Sequence, residues 1–137
     1  MKKKLLHIFL LNLILTSFIY SQPIVNKTLL KADKLFIKQK YENAVVFYVN
    51  YLSTNPKEYY ASRQAAVCYN KLNKPEDAID YWPEVVQSSE ATETDNLEYA
   101  KCLLLNNRGD EAKKIFQYLS KSYDKNIADL AKSYLNP

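Results

Sequence analysis

The sequence predicts an all-α protein, a superhelical solenoid in which helix-turn-helix repeats stack in order and a last helix caps the end. Between residues 59 and 90, apolar residues recur at three- and four-residue steps in two stripes, separated by a polar turn at residues 70–74. Similar residues also recur at a spacing of 34, as at Ala44, Ala78 and Ala112. Because two short helices cannot bury such stripes alone, each unit needs neighbours like itself.

The first element, residues 1–21, has the pattern of a secretory signal peptide. A basic start at residues 2–4 precedes an apolar run at residues 5–20, and the small residue Ser21 ends the segment. We expect cleavage after Ser21, which leaves residues 22–137. An uncleaved membrane anchor is the alternative, although a span needs roughly 20 apolar residues.

Cleavage would also change the net charge of the chain. Loss of the three lysines at residues 2–4 leaves 16 basic and 15 acidic residues, a net charge of +1 instead of +4. Because nucleic-acid-binding domains usually carry a strong basic excess, we expect no nucleic-acid partner.

Three repeats follow, at approximately residues 25–58, 59–92 and 93–126. In each predicted second helix, an alanine is followed four places later by a large aromatic residue, and small and apolar residues precede that alanine at fixed distances in the first helix. The repeated positions are Ala44, Ala78 and Ala112; Tyr48, Trp82 and Phe116; Ala32, Ala66 and Ala100; and Leu35, Tyr69 and Leu103. This fixed register predicts a stacked array, and an ordinary helical bundle is the alternative.

The second helix of repeat two and the loop after it contain special residues. Pro75 suits a first helical position. Pro83 lies inside the predicted helix, and we expect a kink just after Trp82 because proline removes a backbone hydrogen bond and clashes with the preceding turn. The polar residues 88–95 should form the loop to repeat three, with Asp95 as the N-cap of the next helix.

A capping helix is expected at residues 125–135, where it would cover the open end of repeat three. We expect Lys125, Asp129 and Lys132 to face water. The apolar face would consist of Ile127, Leu130, Ala131, Tyr134 and Leu135.

The composition argues against an enzyme. The only histidine, His7, lies in the segment expected to be removed, and a chain with one glycine lacks a phosphate-binding loop. The acidic pairs at residues 76–77 and 110–111 fall at expected helix starts, where the positive end of the helix dipole stabilises acidic side chains. Cys68 and Cys102 are equivalent positions on neighbouring helices, roughly 8–10 Å apart, so we expect buried thiols rather than a disulfide. We expect no catalytic residue, metal or cofactor; a small hydrolase using a carboxylate pair is a minor alternative.

The repeated unit resembles the tetratricopeptide repeat, which has a period of 34, small residues in both helices, an aromatic residue after the second of them, and a closing proline. The resemblance covers residues 25–124 in three copies, and Pro56 matches the closing proline. Other residues replace the motif's early tryptophan (Thr28, Ser62 and Asn96) and the remaining closing prolines (Glu90 and Asp124). The resemblance implies that the first helices line a concave groove for a partner peptide or helix.

Groove positions carried over from this family give the candidate partner-binding residues. We select Arg63, Asn70, Lys71, Lys74, Lys101 and Arg108, together with Phe36 and Tyr60. The other groove positions are Leu29, Asp33, Ile37, Val67, Leu97, Leu104 and Leu105. The cationic and amide side chains favour an acidic segment or a C-terminal carboxylate. The apolar members could equally pack against the second helices.

Residues 31–36 and 41–44 are similar to the N-terminal repeat segments of Gram-negative envelope proteins that precede an outer-membrane-protein-A-type domain. This resemblance implies an exported, non-catalytic adaptor in the periplasm or cell envelope that holds a partner protein or peptide. The alternative is a membrane-tethered assembly factor of a secretion or gliding machinery, if the N-terminal segment is retained. The sequence does not indicate an oligomeric state.

Overall fold

Eight helices form the regular structure of residues 26–136, the part of the chain that the computed structural model describes. Their bounds are α1 Lys27–Ile37, α2 Tyr41–Leu52, α3 Tyr59–Lys71, α4 Pro75–Ala78, α5 Trp82–Gln87, α6 Glu93–Leu105, α7 Gly109–Leu119 and α8 Lys125–Leu135. The all-α prediction is confirmed for these residues, which contain no strand. The expected signal peptide at residues 1–21, or anchor, lies outside the described residues. Between residues 26 and 136, every helix is too short or too polar to span a bilayer.

Three groups of buried side chains hold the helices together in chain order. The first group joins α1, α2 and α3, the second joins α3 to α4, α5 and α6, and the third joins α6, α7 and α8. Most of the residues that repeat at the 34-residue spacing belong to these groups and are buried: Ala32, Ala66 and Ala100; Ala44, Ala78 and Ala112; Tyr48, Trp82 and Phe116; and Leu103. The sequence repeat therefore marks the core positions of the fold.

The turn after α1, α3 and α6 has the same backbone geometry each time. Three residues at the 34-residue spacing have φ in the left-handed region: Gln39 at 56°, Asn73 at 56° and Asn107 at 59°. In each case the backbone N–H of the following residue donates to a carbonyl five residues earlier, at a distance of 2.9 Å. These bonds run from Lys40 to Leu35, from Lys74 to Tyr69 and from Arg108 to Leu103. These bonds form Schellman motifs, which satisfy the last carbonyls of a helix. The single glycine, Gly109, begins α7 and is not the left-handed residue.

Pro83 interrupts the second helix of repeat two, but the predicted position of the distortion was wrong. We expected a kink after Trp82, whereas α4 ends at Ala78 and α5 begins at Trp82. Pro83 thereby occupies the first turn of α5, where a residue without an N–H loses no helical hydrogen bond. The helix therefore breaks before the proline and restarts at it.

The start of α6 also differs from the sequence prediction. Thr92 is the N-cap, so the loop that we placed at residues 88–95 ends three residues earlier. Asp95 is the third helical residue, and its carboxylate accepts the Thr92 N–H at 2.9 Å, while the Asp95 N–H donates to Thr92 Oγ1 at 3.2 Å. Asp95 thus completes a capping box that Thr92 begins.

The capping helix has the predicted bounds, and it packs on α7 and α6. Its buried residues are Ala128 and Ala131, while Leu130 is 41% exposed and Tyr134 is 37% exposed. The expected apolar face was therefore partly wrong, because Ala128 replaces Leu130 against the core. Tyr134 instead stacks on the Phe116 ring, with centroids 4.6 Å apart.

Ala78→Leu should destabilise the fold by about 1–3 kcal/mol, because Ala78 is completely buried against Ala66 and Trp82 and has no room for a larger side chain. Gln117→Leu, which adds a leucine at an exposed position of α7, should change stability by less than about 0.5 kcal/mol. Urea unfolding followed by circular dichroism measures both. Equal midpoints for the two variants would mean that Ala78 is not a close helix contact.

Candidate functional site

A cleft of about 450 Å³ lies between α3 and α6, the first helices of repeats two and three. One wall consists of Val67, Asn70 and Lys71 from α3, and the other consists of Thr94, Glu98 and Lys101 from α6. Steps of three and four residues put each set on one side of its helix. Four of these six residues were predicted groove positions. We call this feature the α3–α6 cleft.

A smaller cavity of about 190 Å³ adjoins the cleft and shares Asn70, Glu98 and Lys101 with it. Asn73, Pro75, Cys102 and Leu105 complete its lining. The two spaces together follow α3 and α6 toward their C-terminal ends. An elongated ligand could therefore contact several turns of both helices.

The charges of the cleft are partly compensated within the chain. Lys101 Nζ lies 2.6 Å from Glu98 Oε1, and both side chains are about one-third exposed. Lys71 is exposed at the end of α3 and forms no ion pair with any residue between 26 and 136. The Asn70 side-chain amide likewise makes no hydrogen bond to a described residue. Lys71 and Asn70 are thus the groups most able to bind a ligand.

Arg63 was predicted to bind a partner, but it is committed to a contact within the fold. Its Nε donates to Asp95 Oδ1 at 2.6 Å, and the Asp95 carboxylate is only 1% exposed. The same carboxylate accepts the Tyr59 hydroxyl at 2.9 Å and the Thr92 hydroxyl at 2.7 Å. Burial alone would raise the pKa of the Asp95 carboxyl, but bonds from Thr92, Arg63 and Tyr59 outweigh it and lower that pKa. Arg63 therefore ties α3 to the start of α6.

Arg108 and Lys74 also lie apart from the cleft lining. Arg108 binds Glu111 through two hydrogen bonds of 2.7 Å each, from Nε and Nη2. Lys74 precedes α4 and is exposed. The six polar candidates therefore do not form one basic surface. The structure brings together Asn70, Lys71 and Lys101.

The two aromatic candidates belong to the packing of repeat one. Phe36 contacts the Tyr41 and Tyr48 rings edge-on, at centroid distances of 5.5 and 6.4 Å. Tyr60 donates from its hydroxyl to Asp33 Oδ1 at 2.9 Å, and Tyr48 donates to the same oxygen at 2.7 Å. Asp33 therefore links α1, α2 and α3. Tyr60 remains partly exposed, whereas Phe36 is a packing residue.

The remaining groove positions are scattered. Leu97 is buried in the core, and Leu29 and Asp33 are half-buried. Ile37, Leu104 and Leu105 are exposed, and only Leu105 lines the spaces described above. Sequence reasoning missed Thr94 as a cleft residue. Its spacing from Glu98 and Lys101, four and then three residues, was the available signal.

The cysteines have the environment that the sequence predicted, since both are buried and neither forms a disulfide. Burial raises the pKa of the Cys68 thiol to about 12 and that of the Cys102 thiol to about 11. Both thiols are therefore protonated at neutral pH and are poor nucleophiles. The acidic pairs at residues 76–77 and 110–111 occupy the first turns of α4 and α7.

Neither the family models nor the curated proteins give a match to the chain. Within residues 26–136, no group of three metal-ligating side chains occurs.

Proposed function

We propose that the chain is a non-catalytic adaptor of the tetratricopeptide-repeat type, which holds a segment of a partner protein in the α3–α6 cleft. The observation that carries this proposal is the cleft itself, which lies between the first helices of two consecutive repeats. The superhelical arrangement is part of the proposal. The 34-residue spacing of both the buried alanines and the left-handed turn residues supports it.

The proposed location is the periplasm or cell envelope, and export would depend on residues 1–21. That segment lies outside the described residues, so its sequence pattern alone supports this part of the proposal.

The partner segment should carry a carboxylate that reaches Lys71 and Asn70. A lysine ammonium and an amide N–H at neighbouring positions can both donate to one carboxylate, and hydrogen bonds to a charged group are stronger than neutral ones. Lys101 is less available because Glu98 already occupies it at 2.6 Å. The apolar Val67 side chain provides a surface for the stem of the ligand. This combination favours an acidic peptide with one apolar contact.

Lys71→Glu should weaken binding of an acidic peptide at least tenfold, because the charge reversal removes an attraction and adds a repulsion. The probes are peptides selected from a displayed library of random sequences for binding to the full chain. Their dissociation constants are then measured by calorimetry for the parent and the variants. Lys113→Glu is the matched control, since it makes the same charge change at an exposed position of α7 outside the cleft. It should alter the dissociation constant less than twofold.

Salt gives a second readout, because exposed charge pairs are screened over about 10 Å at 0.1 M ionic strength. Affinity for the parent should fall as salt rises, and the Lys71→Glu variant should lack most of this dependence. Selected peptides that carry no acidic residue, or that bind Lys71→Glu as tightly as the parent, would overturn the proposed site. Unchanged helical content and melting temperature would show that the variant is folded.

A further inference from the structure

A second cavity, of about 320 Å³, lies where α2 and α3 meet the break between α4 and α5. Two of its residues, Asp80 and Tyr81, belong to the break that precedes Pro83. The full lining is Val49, Leu52, Ser53, Pro56, Ser62, Asp80, Tyr81 and Glu84. We call this feature the break cavity. It lies away from the α3–α6 cleft, because Ser62 is on a different side of α3 from Val67, Asn70 and Lys71.

The break cavity carries negative charge without a counter-charge. Asp80 and Glu84 both line it, and none of its eight lining residues is basic. Neither carboxylate forms an ion pair with any residue of the described part of the chain. Both acids line the same cavity, Asp80 from the break and Glu84 from α5. Two carboxylates in one recess favour a cationic ligand.

Ser62 gives an independent indication of a ligand. The residue is only 2% exposed, yet it lines the break cavity, and its hydroxyl makes no hydrogen bond to another described residue. Because this hydroxyl has no partner among the described residues, a ligand N–H in the break cavity could donate to it. The break cavity therefore offers a ligand the Ser62 hydroxyl and the carboxylates of Asp80 and Glu84.

The apolar part of the lining indicates which kind of cation would fit the break cavity. Val49, Leu52 and Pro56 give an aliphatic surface, and Tyr81 adds an aromatic ring. Lysine and arginine side chains bury their methylene stems on such surfaces while the charged head meets polar groups. A cavity of about 320 Å³ is at the small end of ligand pockets, which suits one side chain better than a cofactor.

We propose that the break cavity binds a lysine or arginine side chain presented by a partner polypeptide. The stem would lie on Val49, Leu52 and Pro56, and the charged head would meet Asp80 and Glu84, with one N–H donated to Ser62 Oγ. This site is separate from the α3–α6 cleft and does not depend on it. The chain would then contact an acidic segment on one surface and a basic side chain on another.

The test is a nuclear magnetic resonance titration of the full chain with blocked single amino acids. N-acetyl-arginine amide and N-acetyl-lysine amide carry the proposed chemistry, and N-acetyl-norleucine amide is the uncharged control. At least one of the two basic compounds should shift the amide signals of Ser62, Asp80 and Tyr81, with an affinity at least tenfold above that of the norleucine compound. Equal affinities for all three compounds, or shifts confined to other residues, would overturn the proposal.

A double variant, Asp80→Asn with Glu84→Gln, removes both charges while keeping side-chain size. Asp80 is exposed and Glu84 is half-buried, so the fold should persist, as the melting temperature will show. Affinity for the basic compounds should fall at least tenfold. The matched control is Glu76→Gln with Asp77→Asn, on α4 outside the lining, and it should change affinity less than twofold. Unchanged binding by the first double variant would refute the site.

Ser62→Ala and putrescine complete the test. Loss of the hydroxyl should weaken binding of the basic compounds by about threefold or more, and unchanged binding would overturn the proposed site. Putrescine separates a free amine from a peptide side chain. Binding of putrescine tenfold tighter than either blocked amino acid would overturn the peptide side chain as the source.

Discussion

Trp82→Ala should lower the free energy of unfolding by about 3–5 kcal/mol, the largest effect that we expect from one substitution in this chain. Trp82 is completely buried at the start of α5 and contacts the core group that contains Ala66, Ala78, Val85 and Cys102. Truncation leaves a cavity where α3, α5 and α6 meet. Because small domains are stable by only about 5–15 kcal/mol, this loss is a large part of the total.

Urea unfolding of the parent, Trp82→Ala and Tyr118→Ala gives the comparison. Tyr118 is 67% exposed, so removal of its ring should change stability by less than about 0.5 kcal/mol. Trp82→Phe should lose less than Trp82→Ala. It keeps most of the buried ring and removes an indole N–H that has no hydrogen-bond partner among the described residues. Equal unfolding midpoints for Trp82→Ala and Tyr118→Ala would contradict the buried position of the tryptophan.

Trp82 also illustrates why the sequence predicts the helices well. Tyr48, Trp82 and Phe116 recur at one spacing, and each is the large residue that fills the space beside a small one. Helical periodicity and the 34-residue period then give the same core positions independently. Agreement between these two levels is what makes the α-helical prediction strong. The turn residues Gln39, Asn73 and Asn107 follow the same spacing, although glycine is the usual signal for their conformation.

The helix ends were harder to predict, because neighbouring residues compete for the same role. Thr92 and Asp95 are both good N-cap residues. The choice of Thr92 depends on Asp95 turning its carboxylate toward Tyr59 and Arg63, which lie more than 30 positions earlier in the chain. Pro83 similarly forbids a continuous helix without saying where the chain restarts. Contacts distant in sequence therefore bear on where α6 begins.

The candidate site was predicted in part for a related reason. Asn70, Lys71 and Lys101 could be placed together because helix spacing and the repeat register put them on facing sides. The pairing of Arg63 with Asp95 depends on how α3 meets α6, so sequence reasoning counted Arg63 as available. The pairing of Arg108 with Glu111 was readable, since residues three apart on a helix are neighbours. The break cavity was invisible in the sequence, because the break itself was misplaced.

Asp95→Ala should lower the free energy of unfolding by about 2–3 kcal/mol, the second-largest effect that we expect. The carboxylate completes the capping box of α6 with Thr92 and accepts hydrogen bonds from Tyr59 and Arg63 on α3. Its removal leaves those donors without their acceptor and weakens the junction between repeats two and three. The cost stays below that of a fully buried ion pair because the Arg63 side chain is 35% exposed and can be hydrated.

Asp129→Ala is the matched control for this substitution. Asp129 lies 3.5 Å from Lys132 in an exposed ion pair, so its loss should cost less than about 1 kcal/mol in urea unfolding.

The pH dependence of stability gives a more specific test. Because the pKa of Asp95 is lowered below 3.8 in the fold, its stabilisation is fully present above pH 3.8 and is lost as the pH falls through the folded-state value. The stability difference between the parent and Asp95→Asn should therefore shrink as the pH is lowered below 3.8. A difference that stays constant over that range, or an Asp95→Ala variant as stable as Asp129→Ala, would show that this carboxylate does not hold α3 and α6 together.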